Sequence, residues 1–139
     1  MQILDASEFV RDTLLPRLAV HRLDRAVVLH PTCAARKLGT DSALIQVCRS
    51  CVTRADVPKR LDCCATAGDR GLLYPELTSS ALAEEHAEVR AGHYHGYYCT
   101  NLTCEIGLRQ ATGLPYSSFL YLVNEATTTQ QTGCNERDV

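Results

Sequence analysis

Eight cysteines in a chain of 139 residues limit what this polypeptide can be more than any other feature of its sequence. They stand at positions 33, 48, 51, 63, 64, 99, 104 and 134. That density is below the level at which a short secreted chain reads as a disulfide scaffold, and the chain is long enough to bury a core without such staples. The opening MQILDASEFV lacks the charged-then-apolar layout of a secretory signal, so the expectation is a cytoplasmic protein whose thiols stay reduced. Clustered cysteines in that setting more often bind metal or do redox chemistry. The 14 Lys+Arg against 16 Asp+Glu leave a formal charge of -2, which argues against nucleic-acid binding, since that needs a basic stripe to displace counterions. No apolar run approaches the ~18 residues of a membrane span.

Periodicity and breakers predict alternating helices and strands. Asp5 with Glu8 forms a capping-box pattern ahead of Phe9, Val10, Leu14 and Leu18, with a break expected near Leu15 because of Pro16. Ala26 to His30, ended by Pro31, reads as a buried parallel strand. Asp41 is placed to cap a helix from Ser42 to Val52, and Arg54 to Val57 is a weaker strand. Residues 63–71, CCATAGDRG, read as a functional loop with room for one helical turn. Pro75 and Glu76 open a helix running to Arg90, and His93 to Tyr98 reads as a strand. Asn101 caps a helix over 102–112 that Gly113 and Pro115 close; Ser118 to Val123 is a last strand or short helix. The polar end from Thr127 to Val139, with Cys134, reads as a frayed tail, leaving residues 1–126 as the folded unit.

The pattern predicts a single α/β layered domain with a short, mainly parallel sheet flanked by helices. Ligands in such sheets sit beyond the carboxyl ends of the strands. Cys33 follows the first strand, Cys63 and Cys64 follow the second, Cys99 ends the third and Cys104 lies in the first turn of the next helix. Parallel strands bring all these junctions to one edge, so sulfurs distant in sequence are expected to converge there. A helix start such as that near Cys104 favours thiolate, and Ala65, Ala67 and Gly68 are small enough to let backbone amides approach the sulfurs.

Three segments carry a resemblance. HPTCAARKLG (30–39), CCATAGDRGLLYPELTSSAL (63–82) and CTNLTCEIGLRQATGLPYSSFLYLVNEA (99–126) resemble the C-terminal cysteine-rich region of FAD-linked D-2-hydroxyacid dehydrogenases, a group that includes bacterial D-lactate dehydrogenases. They are also similar to the Cys-Cys-Gly-type domain found in the glycolate oxidase iron–sulfur subunit and in heterodisulfide reductase. The resemblance covers roughly residues 3–126 and implies an electron-transfer module beside a flavin domain. By position it implies that Cys33, Cys63, Cys64 and Cys104 hold a 4Fe–4S-type cluster, with Cys99 a further candidate. Ala65 stands where the core motif has Gly, and four residues separate Cys99 from Cys104 where related domains have a tighter pair. FAD would belong to a part of the parent enzyme that this chain lacks. Its partners would be that flavin domain and an electron acceptor (quinone, cytochrome or flavoprotein), in the cytoplasm or at the inner face of the membrane. The isolated domain is expected to be inactive as a dehydrogenase.

Blander readings stand beside these. Buried cysteines are often inert core, and Cys48 and Cys51, on one helix face with Leu44, read as core, with a zinc half-site as the alternative. His30 is a core histidine or a donor beside a sulfur or substrate; Asp69 and Arg70 either tie down their loop or face the flavin domain. His93 and His95 share a strand face, read as surface, with a metal-binding pair as the alternative. The rival functions are a non-catalytic zinc-binding or docking module that covers a flavin domain, and thiol–disulfide chemistry by the neighbours Cys63 and Cys64.

Overall fold

The computed structural model describes residues 3–128. Its elements run α1 (Ala6–Phe9), continued by a π-helical stretch (Val10–Leu14) and a 3-10 turn (Leu15–Arg17), then β1 (Leu23–His30), α2 (Cys33–Leu38), α3 (Asp41–Cys51), β2 (Val52–Asp56), α4 (Arg70–Leu73), α5 (Pro75–Ala81), α6 (Ala83–Ala91), β3 (Gly96–Cys99), α7 (Leu102–Thr112), β4 (Tyr116–Ser118) and α8 (Phe119–Thr127). The Asp5–Glu8 capping box forms, with Ser7 N–H donating to Asp5 and Asp5 N–H to Glu8. Pro16 falls in the tightened turn that ends this first helical segment. A proline has no N–H to give an α-helical bond, and the chain leaves the helix at Leu18. Asn101 and Gly113 bound α7, the asparagine accepting from Thr103 N–H and the glycine adopting φ 69°.

The structure corrects several boundaries. α2 has no counterpart in the sequence pattern; Thr32 caps it and Gly39, at φ 73°, ends it. Thr40 rather than Asp41 precedes α3, and Asp41 lies in its first turn, where a carboxylate favours the helix dipole. The helix opened by Pro75 is two helices, broken at the buried Leu82, where the backbone tightens to φ -94°, ψ 0°. β3 begins only at Gly96, so His93 and His95 precede the strand, and His95 is exposed. The segment around Ser118 is both strand and helix: Ser118 ends β4 and its hydroxyl accepts from Leu120 N–H to start α8. Thr127 belongs to α8, and the rest of the expected tail, 129–139 with Cys134, lies outside the described residues.

The four strands form one all-parallel sheet in the order β2-β1-β3-β4. Alternation along β1 assigns its two faces. Val27 and Leu29 join Leu44, Val47, Cys48 and Cys51 of α3, Tyr98 of β3, and Phe119, Leu122 and Val123 of α8 in one core. Cys48 and Cys51 are fully buried there, as the core reading expects. On the opposite face Cys64, Leu82, Cys99, Cys104, Leu108 and Tyr116 form a second core. Each fully buried leucine or phenylalanine contributes about 1.5–3 kcal/mol by leaving water. The sheet grows to one side from β1 to β2, then to the other from β1 to β3. That reversal makes the carboxyl ends of β1 and β3 the switch point, the position where open α/β sheets present a crevice.

Candidate metal centre

Three connections deliver cysteines to that switch point. His30 and Cys99, the last residues of β1 and β3, are register partners. From His30 the chain crosses Pro31 and Thr32, and α2 begins on Cys33. The segment after β2 returns as the Cys63-Cys64 loop, and α7 brings Cys104 in its first turn. Cys33 Sγ lies 3.7 Å from Cys63 Sγ, and Cys64 Sγ lies 3.2 Å from Cys104 Sγ. The four sulfurs therefore gather as two close pairs, joined through the adjacency of Cys63 and Cys64. Cys99 is buried in the same core, but its Sγ faces the Asn101 carbonyl at 3.6 Å. All seven described cysteines are free thiols.

The loop after the doublet is built to turn amides toward sulfur. Ala65, Ala67 and Gly68 all adopt positive φ, at 56°, 44° and 76°. Ala65 N–H donates to Cys63 Sγ at 3.4 Å, while the Thr66 hydroxyl, 3.1 Å from Cys64 Sγ, and its backbone N–H serve the second sulfur. A left-handed conformation costs an L-residue with a Cβ about 1–2 kcal/mol. This gives a physical reason for glycine at position 65 in the motif that the sequence resembles. Ala65→Gly is expected to raise unfolding stability by about 1 kcal/mol, read as a higher urea midpoint at unchanged slope. Gly71 and Gly107 let α4 and α7 press on this loop, since a Cβ at either would collide with Thr66.

Charge is unevenly shared among the sulfurs. Hydrogen bonding to Cys104 draws the Cys64 thiol well below the ordinary range despite its burial, helped by His30 and Thr66. Cys104 is pushed up by the same contact and by burial, so one proton serves the pair and rests on Cys104. Burial raises Cys63, and it pushes Cys99 up to about 12. His30 is fully buried, and its Nδ1 lies 2.8 Å and 3.1 Å from the two carboxylate oxygens of Glu85 on α6. Its Nε2 makes no hydrogen bond of ordinary geometry, yet the Cys64 sulfur is close enough to act on the ring as a second anionic neighbour. Burial alone would lower the His30 pKa; Cys64 and Glu85 together outweigh it and raise it to about 9. The imidazolium is thus clamped between a carboxylate and a thiolate.

Asp69 and Arg70 are exposed at the far end of the loop. The Asp69 backbone carbonyl accepts from Leu72 and Leu73, but neither side chain makes a hydrogen bond among the described residues, which corrects the reading that they tie the loop down. Sequence reasoning misses Glu85 and Thr66. Thr66 lies inside the motif, and a hydroxyl two residues from a cysteine is a signal for a sulfur partner. Glu85 carries no signal, being one of two adjacent glutamates on a helix.

The donor set is all sulfur; Cys64 and Cys104 pack with Leu82, Leu108 and Tyr116, while Cys33 and Cys63 line an open hollow with Arg36, Lys37, Asp41 and Asp62. Such a set suits iron–sulfur or thiolate–metal chemistry. Among the described residues, no three His, Cys, Asp or Glu side chains converge as the ligands of a single ion would. No helix among the described residues is long and apolar enough to cross a membrane. Comparison with known proteins returns no family model, no curated relative and no solved structure that matches the chain.

Proposed function

We propose that this chain is an iron–sulfur electron-transfer domain of an FAD-dependent D-2-hydroxyacid dehydrogenase of the D-lactate or glycolate type. The observation that carries the redox part is the meeting of Cys33, Cys63, Cys64 and Cys104 in two close sulfur pairs at the switch point of a parallel sheet. Four thiols are a donor set shared by iron–sulfur and zinc centres, and metal analysis separates the two. The cluster, when bound, supplies one-electron transfer. The chain's own residues would do the rest. The four cysteines would hold the cluster, Ala65 and Thr66 would direct hydrogen bonds at the sulfurs, and the His30 imidazolium would offset part of the negative charge of the thiolates. Leu82, Leu108 and Tyr116 would keep water from that face.

The hydroxy-acid assignment rests on the motif resemblance at 30–39, 63–82 and 99–126. The flavin partner has a structural correlate in exposed leucines on or beside the elements that carry the cysteines: Leu38 on α2 (75% exposed), Leu73 on α4 (68%) and Leu102 on α7 (67%). Exposed apolar side chains beside the cysteines support docking against another domain. The electron acceptor would meet the assembled enzyme in the cytoplasm or at the inner membrane face.

Anaerobic reconstitution with iron and sulfide, read by visible absorption and by iron, sulfide and zinc analysis, tests the reading. Brown protein with matched iron and sulfide is the expected result; a colourless protein with one zinc would transfer the site to the docking-module reading. Cys33→Ser and Cys104→Ser are each expected to abolish loading, whereas Cys48→Ser leaves it intact. Full loading of either of the first two variants would remove that residue from the ligand set.

A further inference from the structure

The four sulfurs also have a chemistry of their own. The neighbours Cys63 and Cys64 face different partners, and each sits within 3.7 Å of a cysteine remote in sequence: 30 residues away for Cys63 and 40 for Cys64. A disulfide needs about 2.05 Å between sulfurs, so side-chain rotation and small shifts separate each pair from a bond. The two pairs differ in access. Cys33 and Cys63 are half-buried and line an open hollow of about 570 Å³, together with Arg36, Lys37, Asp41 and Asp62. Cys64 and Cys104 are 3% and 8% exposed.

From this arrangement we propose that the cysteine pocket is a two-stage thiol-oxidation site, closing first as an outer Cys33–Cys63 disulfide and then as an inner Cys64–Cys104 disulfide. The oxidant class is a low-molecular-weight disulfide, RSSR, entering by the hollow. The thiolate of one outer cysteine attacks RSSR; a protein–SR bond forms, the RS–SR bond breaks and RS⁻ leaves, taking up the proton lost by the attacking thiol. The second outer cysteine then attacks the protein-bound sulfur, closing the Cys33–Cys63 bond and expelling the second RSH. Two thiols are oxidised and one RSSR is reduced to two RSH. The inner pair repeats the same exchange with a second RSSR once the pocket opens, which is why it lags. Cross-linking in this order replaces the strained link between sequence neighbours expected of an adjacent pair. Its consequence, that the oxidised chain is locked against cluster loading until a dithiol reduces it, rests on the iron–sulfur reading above.

The test uses the full metal-free chain. It is reduced, exposed to excess oxidised glutathione, quenched at intervals with iodoacetamide and digested without reductant for mass spectrometry. Cys63 and Cys64 share one peptide, so tandem fragmentation assigns each link: the Cys33 peptide is expected on Cys63 first, and a three-peptide product that adds the Cys104 peptide through Cys64 later, with Cys48, Cys51 and Cys99 alkylated only after unfolding. In Cys33→Ser the outer link is lost completely and Cys63 retains glutathione. A Cys63–Cys64 link, an inner pair that closes first, or wild-type Cys63 that keeps its adduct unresolved would overturn the proposal, and none of these outcomes bears on iron binding. Conversely, correct cross-links in a chain that never loads iron after reduction would sink the cluster reading and leave this one standing.

Discussion

Glu85→Ala is expected to destabilise the fold by about 3–5 kcal/mol, because it leaves the His30 imidazolium buried with its carboxylate partner removed. Both side chains are almost fully shielded, at 1% and 2% exposure, so water cannot substitute for the missing group. Glu85→Gln is the sharper probe: it keeps the shape and a carbonyl acceptor for Nδ1–H and removes only the charge, so a smaller loss is expected. The sign of its pH dependence follows from the direction of the His30 shift. The folded-state pKa is raised from 6.5 to about 9. Stability from this group is therefore fully present below 6.5 and is lost as pH rises through the folded value. The lowered Cys64 works in the opposite direction over the same window, since its ionised form is favoured in the fold; wild-type stability is consequently flatter than either group alone would make it. The difference between wild type and Glu85→Gln isolates the His30 part. Urea midpoints measured across that window should show the difference greatest at the acid end and shrinking toward pH 9. A constant difference would mean that His30 is neutral throughout and that the clamp is only a hydrogen bond.

The second large effect belongs to Gly71. A Cβ there would lie 2.5 Å from Thr78 Oγ1, 2.7 Å from the Thr66 Cα and 2.9 Å from the Ala65 carbonyl oxygen. Two of these three obstacles are backbone of the cysteine loop, which no rotamer change can remove. Gly71→Ala is thus expected to cost about 1–3 kcal/mol by overpacking and, more tellingly, to push the loop off its sulfurs. Gly107→Ala meets the Thr66 hydroxyl instead, the end of a side chain. It should cost less stability while moving the hydroxyl away from Cys64. Thermal denaturation combined with thiolate absorbance in the ultraviolet distinguishes the two. Gly71→Ala should lower both the melting temperature and the thiolate signal, and Gly107→Ala mainly the signal. Equal melting losses in the two variants would show that loop backbone and Thr66 side chain yield with the same ease.

Much of this architecture is legible in residue order, and the gaps have physical causes. The Pro31 and Pro115 breakers and the Asn101 and Gly113 caps mark elements whose signals are local, and these agree with the structure. α2 escapes notice because six residues, CAARKL, are too few to show a helical period, although Thr32 and Gly39 stand in place as cap and stop. The break at Leu82 is hidden for the opposite reason: Pro75 to Arg90 is long enough to look continuous, and only burial of Leu82 against the second core reveals the tightened turn. Convergence of the cysteines can be argued from parallel strands ending at one edge. Which doublet sulfur meets which distant cysteine cannot, because that depends on two left-handed alanines in the loop that follows the doublet. The His30–Glu85 pair spans 55 residues and joins a strand end to a remote helix, so nothing in the local pattern announces it.

The alternation of strand, crossover and strand has a consequence for biogenesis. Each sulfur pair joins segments 30 or 40 positions apart, and the segments follow different strands. Long-range pairings of this sort form late, after the loop entropy of every intervening crossover has been overcome. A nascent chain that has emerged only as far as β2 owns Cys33 and none of the other three donors. On the proposed cluster reading, metal insertion would then come late in maturation, and a truncated product ending before α7, which lacks Cys104, should load the centre poorly.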